Sequence, residues 1–187
     1  MSVGRSLARI FQFLDDLDRC WSERLCLKNL PASPRAALPW QWPVVLCARL
    51  ADGPVWIAIG AAAMIWGSHA LRGITIKAAA AVVFTAIMVG AIKFSVRRQR
   101  PRGAESALWS TMPRYDRYSF PSGHAARVAG IATVASTADG RLVLPGVLLI
   151  LAVACARVAM GIHYLFDVVC GAILGLACAY MILLLWP

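Results

Sequence analysis

Residues 142–186 read LVLPGVLLILAVACARVAMGIHYLFDVVCGAILGLACAYMILLLW. Two apolar runs, Leu142–Met160 and Tyr164–Trp186, are joined by a short junction that carries His163. Each run approaches the roughly 20 apolar residues that a helix needs to cross a bilayer. Arg157, His163 and Asp167 bracket the junction, and ionisable groups at the edge of such runs are expensive to keep and functional by default. The stretch therefore predicts two membrane helices whose connection does chemistry.

The rest of the chain extends the pattern. Upstream apolar runs cover Pro54–Leu71, Gly73–Ser95 and Ser122–Ala138, the last of them short, and Asp139-Gly140-Arg141 supplies a turn before the fourth run. Asp52 is placed to cap the first run and Pro54 suits its opening turn. The expectation is an all-α integral membrane bundle of about five transmembrane helices over residues 52–187. Residues 1–51 form an interfacial N-terminal segment and linker. Of the 187 residues 60% are hydrophobic, and mean hydropathy is +0.67, which excludes an ordinary soluble domain. Only 15% are charged, yet Lys and Arg outnumber Asp and Glu by 19 to 9. In so apolar a chain that excess points to anionic membrane lipids, with no nucleic acid as partner.

Within residues 6–28, Leu7, Ile10, Phe11, Leu14, Leu17, Trp21 and Leu25 recur at helical spacing with charges between them. Two readings fit: an amphipathic helix on the membrane surface, or one packed against the bundle. Acidic residues at 15, 16, 18 and 23 exclude a signal peptide here. Residues 29–43 hold four prolines and read as a linker. The six cysteines lack metal-ligand spacing such as C-x2-C.

Five spans place residues 96–121 and the junction at 160–164 on the same side as the N-terminus. Three separated clusters then share one depth: Lys93 with Arg100-Pro101, Pro121-Ser122-Gly123-His124, and Arg157 with His163 and Asp167. Lys93 and Arg100, seven apart, are expected near one helical face. Arg157 offers a planar fork of donors for phosphate oxygens. Ser122 and Gly123 open a helix, where free N–H groups and the positive dipole end favour an anion, and glycine permits close approach. His163 and Asp167, four apart, share a face, so the carboxylate can hold one ring nitrogen and leave the other free to attack phosphorus. His124, on a separate helix, can protonate a leaving oxygen. Arg127 is either a further phosphate contact or a partner for a carboxylate.

The motifs Lys93-x6-Arg100-Pro101, Pro121-Ser122-Gly123-His124 and Arg157-x5-His163-x3-Asp167, in order and at full spacing, resemble the three signatures of the type 2 phosphatidic acid phosphatase superfamily. The resemblance covers roughly residues 52–185. It implies a membrane phosphatase acting on lipid phosphates or diphosphates through a phosphohistidine, with no metal or other cofactor. It further implies His163 as nucleophile, Asp167 as its orienting partner and His124 as general acid. Lys93, Arg100, Ser122, Gly123 and Arg157 would bind phosphate. Ala156 stands where the family usually has Ser, which removes one supporting hydroxyl. Membrane members of the family commonly have six spans, and here the surface helix stands in place of the first. A lipid phosphotransferase would use the same residues, and a non-catalytic anionic-lipid binder is the rival of another class.

The segment 96–121 carries six arginines against two acidic residues, with four aromatic side chains among them, and reads as a lid guiding anionic head groups. About 15 of the 19 Lys and Arg residues fall on the side of the motifs. The positive-inside rule therefore favours a cytoplasmic site in the inner membrane.

Overall fold

The computed structural model describes residues 2–27, 41–101 and 117–186, and every element among them is helical. The helices are α1 (Ser2–Leu25), α2 (Trp42–Leu50), α3 (Gly53–Trp66), α4 (His69–Val96), α5 (Gly123–Ala138), α6 (Val143–Ala159) and α7 (Leu165–Leu185). The linker expected over 29–43 lies almost wholly outside the described residues. So does most of the lid expected over 96–121.

Helices α4, α7 and α6 with the turn before it are long and apolar enough to cross a membrane. Helices α2 and α3 meet at a 58° bend and make a fourth candidate span if taken together. α5 has 16 residues, about 24 Å at 1.5 Å per residue, which is short of a bilayer's hydrocarbon thickness. The first apolar run ends earlier than its hydropathy suggests. Gly67 leaves the helix in an extended conformation, and the Ser68 hydroxyl then accepts the Leu71 N–H at 3.3 Å, so α4 starts at His69 rather than near Gly73.

α5 is the centre of the bundle, lined by the buried small residues Ala125, Ala126, Ala129 and Gly130, with α4, α6 and α7 around it. α7 lies so close to α5 that a Cβ on Gly175 would stand 2.0 Å from the Ala126 carbonyl oxygen, and one on Gly171 2.4 Å from that of Ser122. Glycine is required at both, as the sequence suggested for close helix packing. Gly161, grouped with them, differs: its φ of +65° makes it a turn residue between α6 and α7. The close approach of α5 and α7 is fixed at one end by the Ser122 N–H, which donates to the Asp167 carbonyl at 2.9 Å. That contact sets the start of one helix against the start of the other.

Ala156 is buried among Ala48 of α2, Met160 and Ile162, so the position that lacks the family's hydroxyl is filled by apolar packing. α1 presents Ser22, which is buried, towards the bundle, while Phe13, Leu17, Trp21 and Leu25 remain exposed.

Candidate active site

His163 follows the Gly161 turn and is 1% exposed. Its Nδ1 lies 3.5 Å from Asp167 Oδ2, too far for a good hydrogen bond, and makes none in this structure. Asp167, itself fully buried, is held by other donors. Its Oδ2 accepts the Tyr164 N–H at 2.9 Å, and its Oδ1 accepts Arg98 at 2.7 Å. Burial pushes the His163 imidazole down to about 3, Asp167 opposing and the cations Arg100 and Lys93 adding to the effect. The ring is therefore neutral near pH 7, with one nitrogen lone pair available.

The cations arrive by a different route from the one the spacing suggests. α4 ends at Val96, and Arg97 adopts the left-handed conformation at φ 53°. Lys93 thus sits buried in the last turn of α4, whereas Arg100 lies beyond the helix and donates to the Ile162 carbonyl at 3.1 Å. They are brought near His163 by a chain reversal, not by a shared helical face.

Ser122 caps α5, its hydroxyl accepting the Ala125 N–H at 3.5 Å. Because the Ser122 N–H is already given to Asp167, the amides of Gly123 and His124 are the ones the helix start leaves without intrahelical acceptors. Gly123 is not forced by crowding: a Cβ there would meet only Val89, at 3.6 Å. A cavity of about 200 Å³ runs between α4 and α5, with Lys93, Gly123, His124 and Arg127 at one end and Val82, Thr85, Ala86 and Val89 along it. His163 lines a second cavity with Gly161, Tyr164, Pro101, Ser22, Glu23 and Cys26.

Two site residues were given other roles by the sequence. Asp52, at the corner between α2 and α3, makes no capping bond. Its carboxylate turns inward instead. Oδ1 lies 3.3 Å from His124 Nε2 and 3.6 Å from the buried Arg157, and Oδ2 accepts Arg49 at 3.1 Å. The signal was present in principle, as a carboxylate at a span boundary on the same side as the motifs. Arg98, read as part of a basic flank, is 11% exposed, stacks 4.2 Å from the Tyr164 ring and pairs with Asp167. Asp167 and Asp18, working against burial, hold its guanidinium well above its ordinary value. Arg127 donates to the Ala51 carbonyl at 2.8 Å, so it ties α5 to the α2–α3 corner while lining the His124 cavity.

The eight residues singled out by the sequence thus lie at one end of the bundle, linked by Ser122 to Asp167, Arg100 to Ile162 and Asp52 to both His124 and Arg157. A sequence model of the PAP2 superfamily matches residues 74–187. The chain is 30% identical to an undecaprenyl-diphosphatase of Sulfolobus acidocaldarius over 65% of this chain and 58% of that one. It is 40% identical to a decaprenylphosphoryl-5-phosphoribose phosphatase of Mycobacterium tuberculosis over 54% of each. The chain therefore spans little more than half the length of these curated relatives. Its fold matches the crystal structure of a PAP2-type phosphatidylglycerolphosphate phosphatase from Bacillus subtilis with a TM-score of 0.66, at 18% identity, over 99% of this chain and 96% of that one.

Proposed function

The chain belongs to the PAP2 superfamily, and from that premise we propose that it is a metal-independent membrane phosphatase that hydrolyses lipid phosphates or diphosphates through a phosphohistidine on His163. The observation that carries the reading is a neutral, buried His163 beside Asp167, at the same bundle end as Lys93, Arg100, His124 and Arg157.

In the first step the neutral nitrogen of His163 attacks phosphorus and the P–O bond to the lipid breaks. The departing oxygen takes a proton from His124 and leaves as the alcohol or lower phosphate. The imidazole becomes positive as the N–P bond forms, and Asp167 stabilises that charge. Lys93, Arg100, Arg157 and the first amides of α5 share the charge on the equatorial oxygens. Water then attacks the phosphohistidine and gives a proton back to His124. Inorganic phosphate is released and His163 is regenerated. Asp52 serves the acid as Asp167 serves the nucleophile, by orienting its ring and favouring its protonated form.

A polyprenyl phosphate or diphosphate is the favoured substrate class, ahead of phosphatidic acid, phosphatidylglycerol phosphate or a lipid A phosphate. The two curated relatives are named for polyprenyl substrates, and the cavity at His124 continues along apolar side chains where a lipid chain can lie. The excess of Lys and Arg on the site's side supports a cytoplasmic orientation in the inner membrane, which labelling of cysteines placed near Ser33 and Ser68 in intact cells will check.

Purified protein in detergent, given a polyprenyl diphosphate and no acceptor, should release free phosphate. His163→Ala should reduce that release on the order of a thousandfold or more, because no other nucleophile can take the phosphoryl group. Phosphate release that survives the substitution overturns the mechanism, and transfer that needs an added acceptor identifies a phosphotransferase.

A further inference from the structure

The first helix bears on the loop that holds the nucleophile. α1 crosses the ends of α6 and α7 with its polar side inward. At its C-terminal end, the Leu27 N–H donates to the Ala159 carbonyl, the last residue of α6, at 2.8 Å. One turn back, the Ser22 hydroxyl accepts the Leu165 N–H at 2.9 Å, and Asp18 accepts the Phe166 N–H at 3.0 Å. These are the first two amides of α7, which no intrahelical carbonyl can satisfy. α1 therefore supplies the caps of α7 from outside it, and so grips both sides of the 160–164 loop. Asp15 and Asp18 also accept Arg98 at 2.6 and 2.8 Å, and the other end of that guanidinium holds Asp167 at 2.7 Å. A continuous line of charge runs from α1 through Arg98 to Asp167 and His163.

The opposite face of α1 is apolar and exposed. Phe13 is 62% exposed, Leu14 54%, Trp21 53% and Leu25 51%. Water is a poor neighbour for such a stripe. In a chain with three bilayer-length apolar helices, the stripe continues the lipid-facing surface of the bundle at its end, where Trp42 and Leu46 of α2 are also exposed. Arg24 stacks over the Trp21 ring at 5.4 Å, a cation beside an aromatic ring at the level where head groups sit.

We propose that α1 is a clamp seated on the lipid surface: its apolar face lies in the bilayer interface, and its polar face, acting through Arg98, holds Asp167 and the 160–164 loop so that His163 is presented for attack. Arg98 is a positioning residue, since it touches Asp167 and not the reacting atoms. The effect on catalysis rests on the phosphatase reading, whereas the docking and the grip do not.

The test uses the full chain in vesicles of phosphatidylcholine and phosphatidylglycerol. The fluorescence component lost in Trp21→Phe should be quenched by lipids brominated near the head-group end of the acyl chain, and an unquenched component overturns the docking. Asp18→Ala and Arg98→Gln should each speed hydrogen exchange at Leu165 and Phe166, and unchanged exchange overturns the grip. Each should lower kcat about tenfold while KM stays within about twofold, the signature of a displaced nucleophile rather than a damaged lipid site. Arg98→Lys, which keeps the charge, should recover part of the loss. Variants that exchange faster yet turn over at the wild-type rate overturn the positioning role. If the wild-type protein releases no phosphate from any lipid, the phosphatase reading fails, and quenching and exchange still decide the clamp.

Discussion

Two carboxylate–histidine pairs lie at the same end of the bundle, and they are built differently. His163 and Asp167 are 1% and 0% exposed, and Asp167 is fastened by Arg98 and by the Tyr164 amide. His124 and Asp52 are 18% and 27% exposed, at a corner between short helices and beside an open cavity. The contrast suits the proposed division of labour. A nucleophile must be neutral, dry and fixed in direction, because its attack angle decides the rate. A proton donor must be refilled in every cycle, so its ring needs contact with water and with the departing group. Burial is acceptable for the first and would hinder the second.

The comparison breaks most decisively at His124. His124→Ala should lower turnover of a lipid phosphate about a hundredfold or more, the usual size of a lost general acid. An aryl phosphate, whose leaving group departs without a proton, should lose much less. Equal losses on the two substrates would mean that His124 binds phosphate rather than protonating the leaving oxygen. The same pair of substrates applied to the nucleophile gives the control, since His163→Ala should abolish turnover of both.

A smaller effect sharpens the other half of the pair. Asp52→Asn keeps the size of the side chain and removes its charge. It should lower turnover of the lipid phosphate on the order of tenfold and turnover of the aryl phosphate hardly at all, because its proposed partner is the acid. A loss that is the same on both substrates would assign Asp52 to holding Arg157 in place, 3.6 Å away.

Asp52 and Arg98 also show what the sequence could and could not disclose. The apolar runs were legible because spanning a bilayer demands length and composition, which are local properties. The motif residues were legible because three separated patterns had to be explained together. Asp52 was not, because an acid just before Gly53-Pro54 is what a helix cap looks like, and only the bend between α2 and α3 turns it towards His124. Arg98 was hidden among Arg97, Arg100 and Arg102, where a basic flank is the ordinary reading. Its partners Asp15, Asp18 and Asp167 are 69 to 83 residues away, and no periodicity reports on them. The spacing of Lys93 and Arg100 misled for a related reason. Seven residues imply one helical face only while the helix continues, and α4 stops between them.

The smallest expected effect concerns pH and the buried member of the comparison. Burial lowers His163 from an ordinary 6.5 to about 3 in the folded protein. Between those values the unfolded chain binds a proton that the folded chain refuses, so stability rises with pH across the window and falls as pH drops below about 6.5. Replacing the ring with an uncharged side chain of similar reach removes that term. His163→Gln should therefore lose less thermal stability than the wild type between pH 7 and pH 5, measured as the shift in unfolding midpoint in detergent. An equal shift in the two proteins would mean that the His163 site is hydrated enough to accept a proton, and the distinction between a dry nucleophile and a wet acid would fail at its first term.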